Sequence, residues 1–390
     1  MPRQTLFCLL IVFSAAFLSC QEDRYSQPME MPEMDIDLSN FLEFLNFTYP
    51  PIDELMGVPC SVSIFGLSSV GLMITYIVVF ILSVLGNSVV IYVVCCMARG
   101  RTTTDVYLMH LAMADLLFSS TLPFWAVYVY SHWIFGTFLC KFLSGLQDAA
   151  FYCGVFLLAC ISVDRYLAIV KATRALAQRR HLVGLVCGAM WLGAGLLSLP
   201  VALQREAIQP EDLEGQIICF ENLTAASSDQ WRVGVRVIRH VLGFFLPLSV
   251  MVVCYSCTTA TLFHGVRNGG QKHKAMRVIL AVVLAFVACW LPRNISVLVD
   301  TLMRSGSLGE ETCDFQNKVS VALYVTEVMA FTHCAVNPVL YAFIGQKFRN
   351  QLLVVLQKHG LISKRLMVAY RRGSANSMAS QRSRNTSVTL

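Results

Sequence analysis

The chain has 390 residues, of which 56% are hydrophobic and 14% are charged, and its formal net charge is +6. With a mean hydropathy of +0.61, it is too apolar for a soluble domain of this size, so the composition indicates a polytopic membrane protein. Residues 21–59 hold nine acids and one base, whereas residues 346–390 hold nine Lys or Arg and no acid, so one segment can attract cations and the other can lie against anionic lipid.

The first twenty residues predict a signal peptide. Arg3 is followed by the apolar run LFCLLIVFSAAFLSC, which is shorter than the ~20 residues that a membrane span requires. We expect cleavage near Ser19 or Cys20, and an uncleaved anchor or a misassigned start codon is the alternative. Residues 21–70 then form an acidic extracellular segment.

Seven apolar stretches are long enough to cross a bilayer. They predict an all-α membrane protein, with a seven-transmembrane helix bundle over residues 71–345. The stretches cover 71–96, 104–130, 137–168, 182–203, 233–263, 276–303 and 319–344. Because their number is odd, the two termini lie on opposite sides of the membrane.

The short loops give the orientation. The loops 96–104, 171–182 and 264–277 hold ten Lys or Arg, whereas the opposite loops hold three. The positive-inside rule therefore predicts a multi-pass plasma-membrane protein with an extracellular N-terminus and a cytoplasmic C-terminus. The sequons at Asn46 and Asn222 fall on predicted extracellular segments, where glycans can be attached.

Three polar residues stand inside the spans, where a charge costs about 2.5–3.5 kcal/mol at the bilayer centre. They are Asn87, Asp115 and Asn337, and each must face protein or water. They predict a polar core; a hydrogen-bond network that serves packing alone is the alternative. Four prolines predict bends in the second, fifth, sixth and seventh spans: Pro123, Pro247, Pro292 and Pro338.

Cys140 stands near one end of the third span and the triplet Asp164-Arg165-Tyr166 near the other, about 37 Å apart along a helix. A possible disulfide at one membrane face and an acid-base pair at the other resemble the third helix of rhodopsin-like receptors. DRYLAIV at 164–170 resembles the chemokine receptors in particular. The segments WIFGTFLCK at 133–141, GQKHKAMRVI at 270–279 and YAFIGQKFR at 341–349 are similar to CXC chemokine receptors of the interleukin-eight-binding type.

This resemblance implies a G-protein-coupled receptor without enzyme activity. It implies signalling through inhibitory-class heterotrimeric G proteins to calcium mobilisation and neutrophil chemotaxis. Arg165 is expected to leave Asp164 on activation, and an allosteric sodium ion near Asp115 is the one cofactor implied. The residues implied as the activation switch are Asn87, Asp115, Asp164, Arg165, Tyr166, Pro247, Tyr255, Trp290, Pro292, Asn337, Pro338 and Tyr341.

Charged residues at the outer ends of the spans predict a mixed-sign vestibule under the acidic tail. This suits a basic, folded protein ligand better than a small amine or a lipid, and the resemblance implies a CXC chemokine. Gln147 stands where a lysine is expected, which leaves ligand preference open. The predicted ligand-binding residues are Trp125, Gln147, Asp148, Arg232, Arg236, Asp300, Arg304 and Glu327, with Arg239 close by. Tyr25 and Tyr49 lie near acids and are candidate sulfation sites.

Four cysteines remain in extracellular positions after signal removal, and the residues alone allow three pairings. The resemblance implies that Cys140 pairs with Cys219 and that Cys60 pairs with Cys313.

Two cytoplasmic segments follow the last span. Residues 346–358 carry an apolar stripe at helical spacing, which predicts an amphipathic helix on the inner leaflet. Residues 359–390 form a tail in which phosphorylation by receptor kinases could recruit arrestin; a plain disordered tail is the alternative. The candidate sites are Ser374, Ser377, Ser380, Ser383, Thr386, Ser387 and Thr389.

The sequence disfavours two rival functions. A transporter also places charges within its spans, but the sequence contains no inverted repeat or paired discontinuous helices. An atypical receptor that scavenges chemokine without G-protein signalling is disfavoured by the intact Asp164-Arg165-Tyr166 triplet. No structural metal and no nucleic-acid partner is expected, and dimerisation stays open.

Overall fold

A computed structural model describes residues 69–96, 102–170, 180–209, 215–221, 228–264, 270–304, 312–344, 346–360, 362–363 and 365. Among these residues, seven helices are long and apolar enough to cross a membrane, which confirms the predicted bundle. They are α1 (Ser69–Cys96), α2 (Thr103–Tyr130), α3 (Gly136–Ile169), α4 (Arg180–Gln204), α5 (228–264), α6 (Gly270–Arg304) and α7 (Cys313–Ile344). The amphipathic helix α8 (Gln346–Lys358) follows them.

Several helices extend beyond the predicted spans. α6 begins at Gly270 rather than at 276, and α7 begins at Cys313 rather than at 319. The connection 264–277 between the fifth and sixth predicted spans therefore includes residues of α6 from Gly270 onward. Apolar content marks the part of a helix that lies in hydrocarbon, whereas its backbone hydrogen bonds continue into the polar residues beyond the membrane.

α3 lies at the centre of the bundle. In its most apolar 18-residue window 67% of residues are buried, against 22–44% in the other six spans. Leu111 of α2, Phe244 of α5 and Phe286 of α6 belong to the core that surrounds it. α4 also approaches α3 closely, because a β-carbon added at Gly145 would lie 2.6 Å from that of Ala202. Residues of α3 can therefore contact several other helices.

A short hairpin covers the outer end of α3. β1 (Arg205–Ile208) pairs in antiparallel fashion with β2 (Ile218–Glu221). A disulfide joins Cys219 of β2 to Cys140 of α3, as the resemblance implied. Cys313 also takes part in a disulfide, while Cys60 lies outside the described residues.

Three of the predicted prolines lie within continuous helices, and a π-helical segment interrupts α5. Pro123, Pro292 and Pro338 lie inside α2, α6 and α7. α5 is α-helical over Ser228–His240 and Leu246–His264 and π-helical over Val241–Phe245, directly before Pro247. Such wide turns are rare and occur frequently at functional sites. The arginines Arg232, Arg236 and Arg239 of α5 all precede this π turn.

Candidate ligand and signalling sites

Ion pairs connect neighbouring elements in the outer half of the bundle. Asp148 of α3 and Asp300 of α6 both have nearly buried side chains, 3% and 4% exposed, and each faces an arginine of α5. Four of these pairs are Arg239–Asp148 at 3.0 Å, Arg236–Asp300 at 2.8 Å, Arg293–Glu327 at 2.7 Å and Arg232–Glu221 at 3.3 Å. This arrangement is a mixed-sign site that spans α3, α5, α6, α7 and β2.

Two of these partners were missed from the sequence. Arg293 donates from Nη2 to Glu327 at 2.7 Å, and Tyr76 of α1 donates to the other oxygen of Glu327 at 3.4 Å. Glu221 binds Arg232 and lies 3.6 Å from Arg205. Arg293 is a charged residue inside a span, and such residues usually face a functional cavity. That signal could have identified it.

Aromatic residues line the α2 side of this site. The Trp125 ring lies 5.3 Å from that of Trp133, and Tyr128 packs against both. Trp125 Nε1 and Gln147 Nε2 are buried without a hydrogen-bond partner in the part of the chain that the structure describes. Both are donors that a ligand or a water molecule can satisfy.

Below the ion pairs, Trp290 of α6 packs against Phe151 of α3, with ring centroids 4.3 Å apart. A cavity beside this contact reaches down to Asp115 and is lined also by Gly154 and His333. The volume open to the centre of a water molecule is about 20 Å³, which holds about one water. The outer site and the polar core are therefore separated by Phe151 and Trp290.

The polar core joins the residues that the sequence marked inside the spans. Asn337 donates to Asp115 Oδ2 at 2.9 Å, and Asn87 donates to the backbone oxygen of Cys334 at 2.9 Å. Asn87 and Asn337 each keep a buried Oδ1 without a hydrogen-bond partner among the described residues. The Asp115 carboxylate and the Asn337 oxygen provide oxygen ligands of the kind that hard cations prefer. These residues fit the predicted sodium ion.

At the end of α3 opposite the disulfide, Arg165 forms an ion pair with Asp164 at 2.7 Å. Thr104 of α2 donates to the same carboxylate at 2.7 Å and also contacts the Arg165 guanidinium. Tyr255 and Tyr341 are not among the hydrogen-bond partners of Arg165 within the described ranges. The Tyr341 ring instead lies 6.4 Å from that of Phe348 in α8. Tyr166 is buried beside Cys254 of α5.

Other predicted sites lie outside the described residues, namely Asn46, Asn222, Tyr25, Tyr49, Cys60 and the Ser and Thr residues of 374–389. The side chain of Arg304, the last residue of α6, also lies outside the described part. All of these remain predictions.

Comparison with known proteins identifies similar sequences across most of the chain. The family model for seven-transmembrane receptors of the rhodopsin family matches residues 86–341. A C-X-C chemokine receptor type 1 of Homo sapiens is 49% identical over 328 residues, which cover 84% of this chain and 92% of that receptor. A C-X-C chemokine receptor type 2 of Oryctolagus cuniculus is 47% identical over 353 residues, or 90% of this chain and 96% of the relative.

Proposed function

Because this chain belongs to the rhodopsin family of seven-transmembrane receptors and, within it, to the C-X-C chemokine receptors, we propose that it binds CXC chemokines of the interleukin-eight type and signals through inhibitory-class G proteins. It is a signalling receptor and not an enzyme. The observation that carries the choice of ligand is the mixed-sign outer site. There, Glu327 is held by Arg293 and Tyr76 beneath an N-terminal segment rich in acids.

Activation begins at this site. The acidic segment attracts the basic body of the chemokine, and the chemokine's N-terminal strand enters the outer site. Its ammonium group competes with Arg293 for Glu327. Arg293 lies on α6, three residues after Trp290, so its release acts on the helix that carries the aromatic contact with Phe151.

The signal leaves through Arg165. An ion pair at the membrane edge is weak enough to exchange partners. Displacement of α6 frees Arg165 from Asp164 and Thr104 to contact the G protein.

A panel of CXC chemokines applied to cells that express the chain tests this function. We expect dose-dependent calcium release and a fall in cAMP, both blocked by pertussis toxin. Arg165→Ala should abolish both responses while chemokine binding is retained. Chemokine uptake without either response would support the scavenging alternative, and an absence of chemokine binding would overturn the proposal.

We also propose that sodium binds at Asp115 and favours the inactive state. Asp115→Asn keeps an oxygen that can accept from Asn337 but loses the charge that attracts the cation. Sodium should therefore lower agonist affinity in the wild type and have no effect in the variant. Equal sodium sensitivity in the two proteins, with potassium as the ionic-strength control, would contradict this assignment.

The remaining parts of the proposal concern the two faces of the membrane. The N-terminus is extracellular and α8 rests on the inner leaflet, as the basic loops and tail favour. Receptor kinases phosphorylate the tail, and arrestin then binds it. Truncation after Gly373 should slow agonist-driven internalisation, measured by loss of a surface epitope, without changing the first calcium response.

A further inference from the structure

The pair between Arg239 and Asp148 differs from the other ion pairs of the outer site. Arg236 and Arg293 both donate hydrogen bonds to their carboxylates, at 2.8 and 2.7 Å. Arg239 Nη2 lies 3.0 Å from Asp148 Oδ1, yet neither Asp148 oxygen accepts a hydrogen bond from any described residue. A buried carboxylate is held firmly only when its lone pairs are satisfied. This pair is therefore incompletely formed.

Arg239 also presents the largest free surface. Its side chain is 44% exposed, whereas those of Arg205, Arg232, Arg236 and Arg293 are 26–28% exposed. The guanidinium lies beside Asp148 and over Phe151, both of which belong to α3, the innermost helix. The guanidinium therefore lies on the side of α5 that faces α3.

The Phe151 ring connects Arg239 to Trp290. The guanidinium carbon of Arg239 lies 5.3 Å from the centroid of this ring, a cation–π distance. The ring centroid is 4.3 Å from that of Trp290. A β-carbon added at Gly243, in the π-helical turn, would lie 2.8 Å from Phe151 Cε1. One ring thus contacts the arginine, the π turn and the α6 tryptophan, so a shift of the guanidinium changes the packing of Trp290.

We propose that Arg239 receives an acidic group from the terminal segment of the ligand, and that this contact draws the guanidinium off Phe151 and releases Trp290. The inference rests on the proposed function, since it names the chemistry that the same site recognises. A carboxylate is the group that binds a guanidinium edge with two parallel hydrogen bonds. Asp148 keeps its contact, because the guanidinium has five N–H donors, and no bare charge is left buried.

Receptor variants test, without any ligand, whether the contact of Arg239 with Phe151 restrains Trp290. We call this contact the tether. In ligand-free membranes, Arg239→Gln and Phe151→Leu should each raise the basal exchange of a GTP analogue on the G protein severalfold. Lys318→Gln is the matched control, because it removes a charge from an exposed surface pair with Asp314, and its basal exchange should equal that of the wild type. Unchanged basal exchange in both Arg239→Gln and Phe151→Leu, at equal surface expression, would overturn the tether.

Agonist potency tests the acidic group. With a CXC chemokine active on the wild type, Arg239→Gln should weaken potency roughly tenfold or more, the loss expected for a charged hydrogen bond. Asp148→Asn removes the carboxylate that partly neutralises the guanidinium and should improve potency. Shifts of the same sign in the two variants would overturn the proposal. Arg239→Gln alone leaves the buried Asp148 charge without its partner, which could disturb folding. The double variant Arg239→Gln/Asp148→Asn removes both charges and should still respond weakly, because the ligand's acidic group has lost its partner.

Chemokine variants complete the test. Replacing each Glu or Asp in the chemokine's N-terminal segment by its amide should identify one change that weakens potency on the wild type and has no further effect on Arg239→Gln. Additive losses for every such change would overturn the assignment of the acidic group. If no chemokine binds the wild type at all, the proposed function fails. The basal exchange of Arg239→Gln and Phe151→Leu still shows whether Arg239 restrains Trp290 through Phe151.

Discussion

Gly86 shows how a single small residue permits the polar core to form. A β-carbon at this position would lie 2.8 Å from Cβ and 2.9 Å from Cγ of Pro338. The Pro338 side chain of α7 therefore packs directly against the backbone of α1. The next residue, Asn87, donates to the backbone oxygen of Cys334 in α7 at 2.9 Å. That hydrogen bond depends on the close approach of the two helices.

Gly86→Ala should therefore destabilise the folded receptor. Forcing a methyl group into a packed contact costs about 1–3 kcal/mol, and we expect a lower thermal midpoint for the detergent-solubilised protein. Gly188→Ala is the matched control on α4, where a β-carbon meets nothing within 4 Å; it should be neutral or stabilising by about 0.5–1 kcal/mol. Equal midpoints for the two variants would contradict the packing argument.

Single residues also show where sequence reasoning stops. Asp148, Asp300 and Glu327 could be placed at the outer ends of their helices, because the spans fix depth in the membrane. Their partners could not be assigned, since pairing depends on helix rotation, which hydropathy does not report. Thus Arg293 was overlooked beside Pro292, and the bond from Thr104 to Asp164 has no signal in the local sequence.

At the scale of elements, the hairpin after α4 depends on one covalent link. Its strands are only four residues long, too short for a stable isolated pair. The Cys140–Cys219 bond closes a sequence separation of 79 residues, and the Trp133 backbone nitrogen donates to Ile217 at 2.8 Å. The disulfide thus fixes the hairpin to the end of α3 beside the outer site.

Cys140→Ser should lower receptor stability by about 2–4 kcal/mol and strongly reduce chemokine binding. The physical reason is that β2, with Glu221 and its contact to Arg232, loses its anchor to α3. Surface expression and binding are the measurements. Cys219→Ser and the double variant should match the single change, because all three remove the same bond; additive losses would show that the cysteines act separately.

The elements themselves were largely predictable, and their irregularities were not. Seven apolar stretches and the stripe at 346–358 are strong periodic signals, and each corresponds to a helix. No residue pattern distinguishes the π-helical turn Val241–Phe245 from the α-helix around it. Only Pro247 indicates an interruption nearby. The position of the turn depends on packing against Phe151, a contact distant in the sequence, so local patterns do not specify it.

At the scale of the whole molecule, acidic and basic residues are concentrated at opposite ends of the chain. Nine acids in residues 21–59 precede the bundle, and nine bases in residues 346–390 follow it. Between them lie the ion pairs of the outer site. Five arginines each face a carboxylate there, namely Arg205, Arg232, Arg236, Arg239 and Arg293. Long-range attraction should therefore arise mainly from the N-terminal segment, where acids outnumber bases nine to one, whereas the paired charges act only at contact distance.

This division predicts how ionic strength affects chemokine binding. Salt screens charges beyond about 10 Å at 0.1 M and about 3 Å at 1 M, so the association rate should fall by roughly tenfold or more over that range, with a smaller change in dissociation. Surface plasmon resonance on the captured receptor measures both rates. A variant with the nine acids of 21–59 changed to amides should associate slowly at low salt and lose most of the salt dependence, because the screened attraction has been removed. If the amide variant kept the wild-type salt dependence, the attraction would have to originate in the bundle, and the N-terminal segment would have no part in capture.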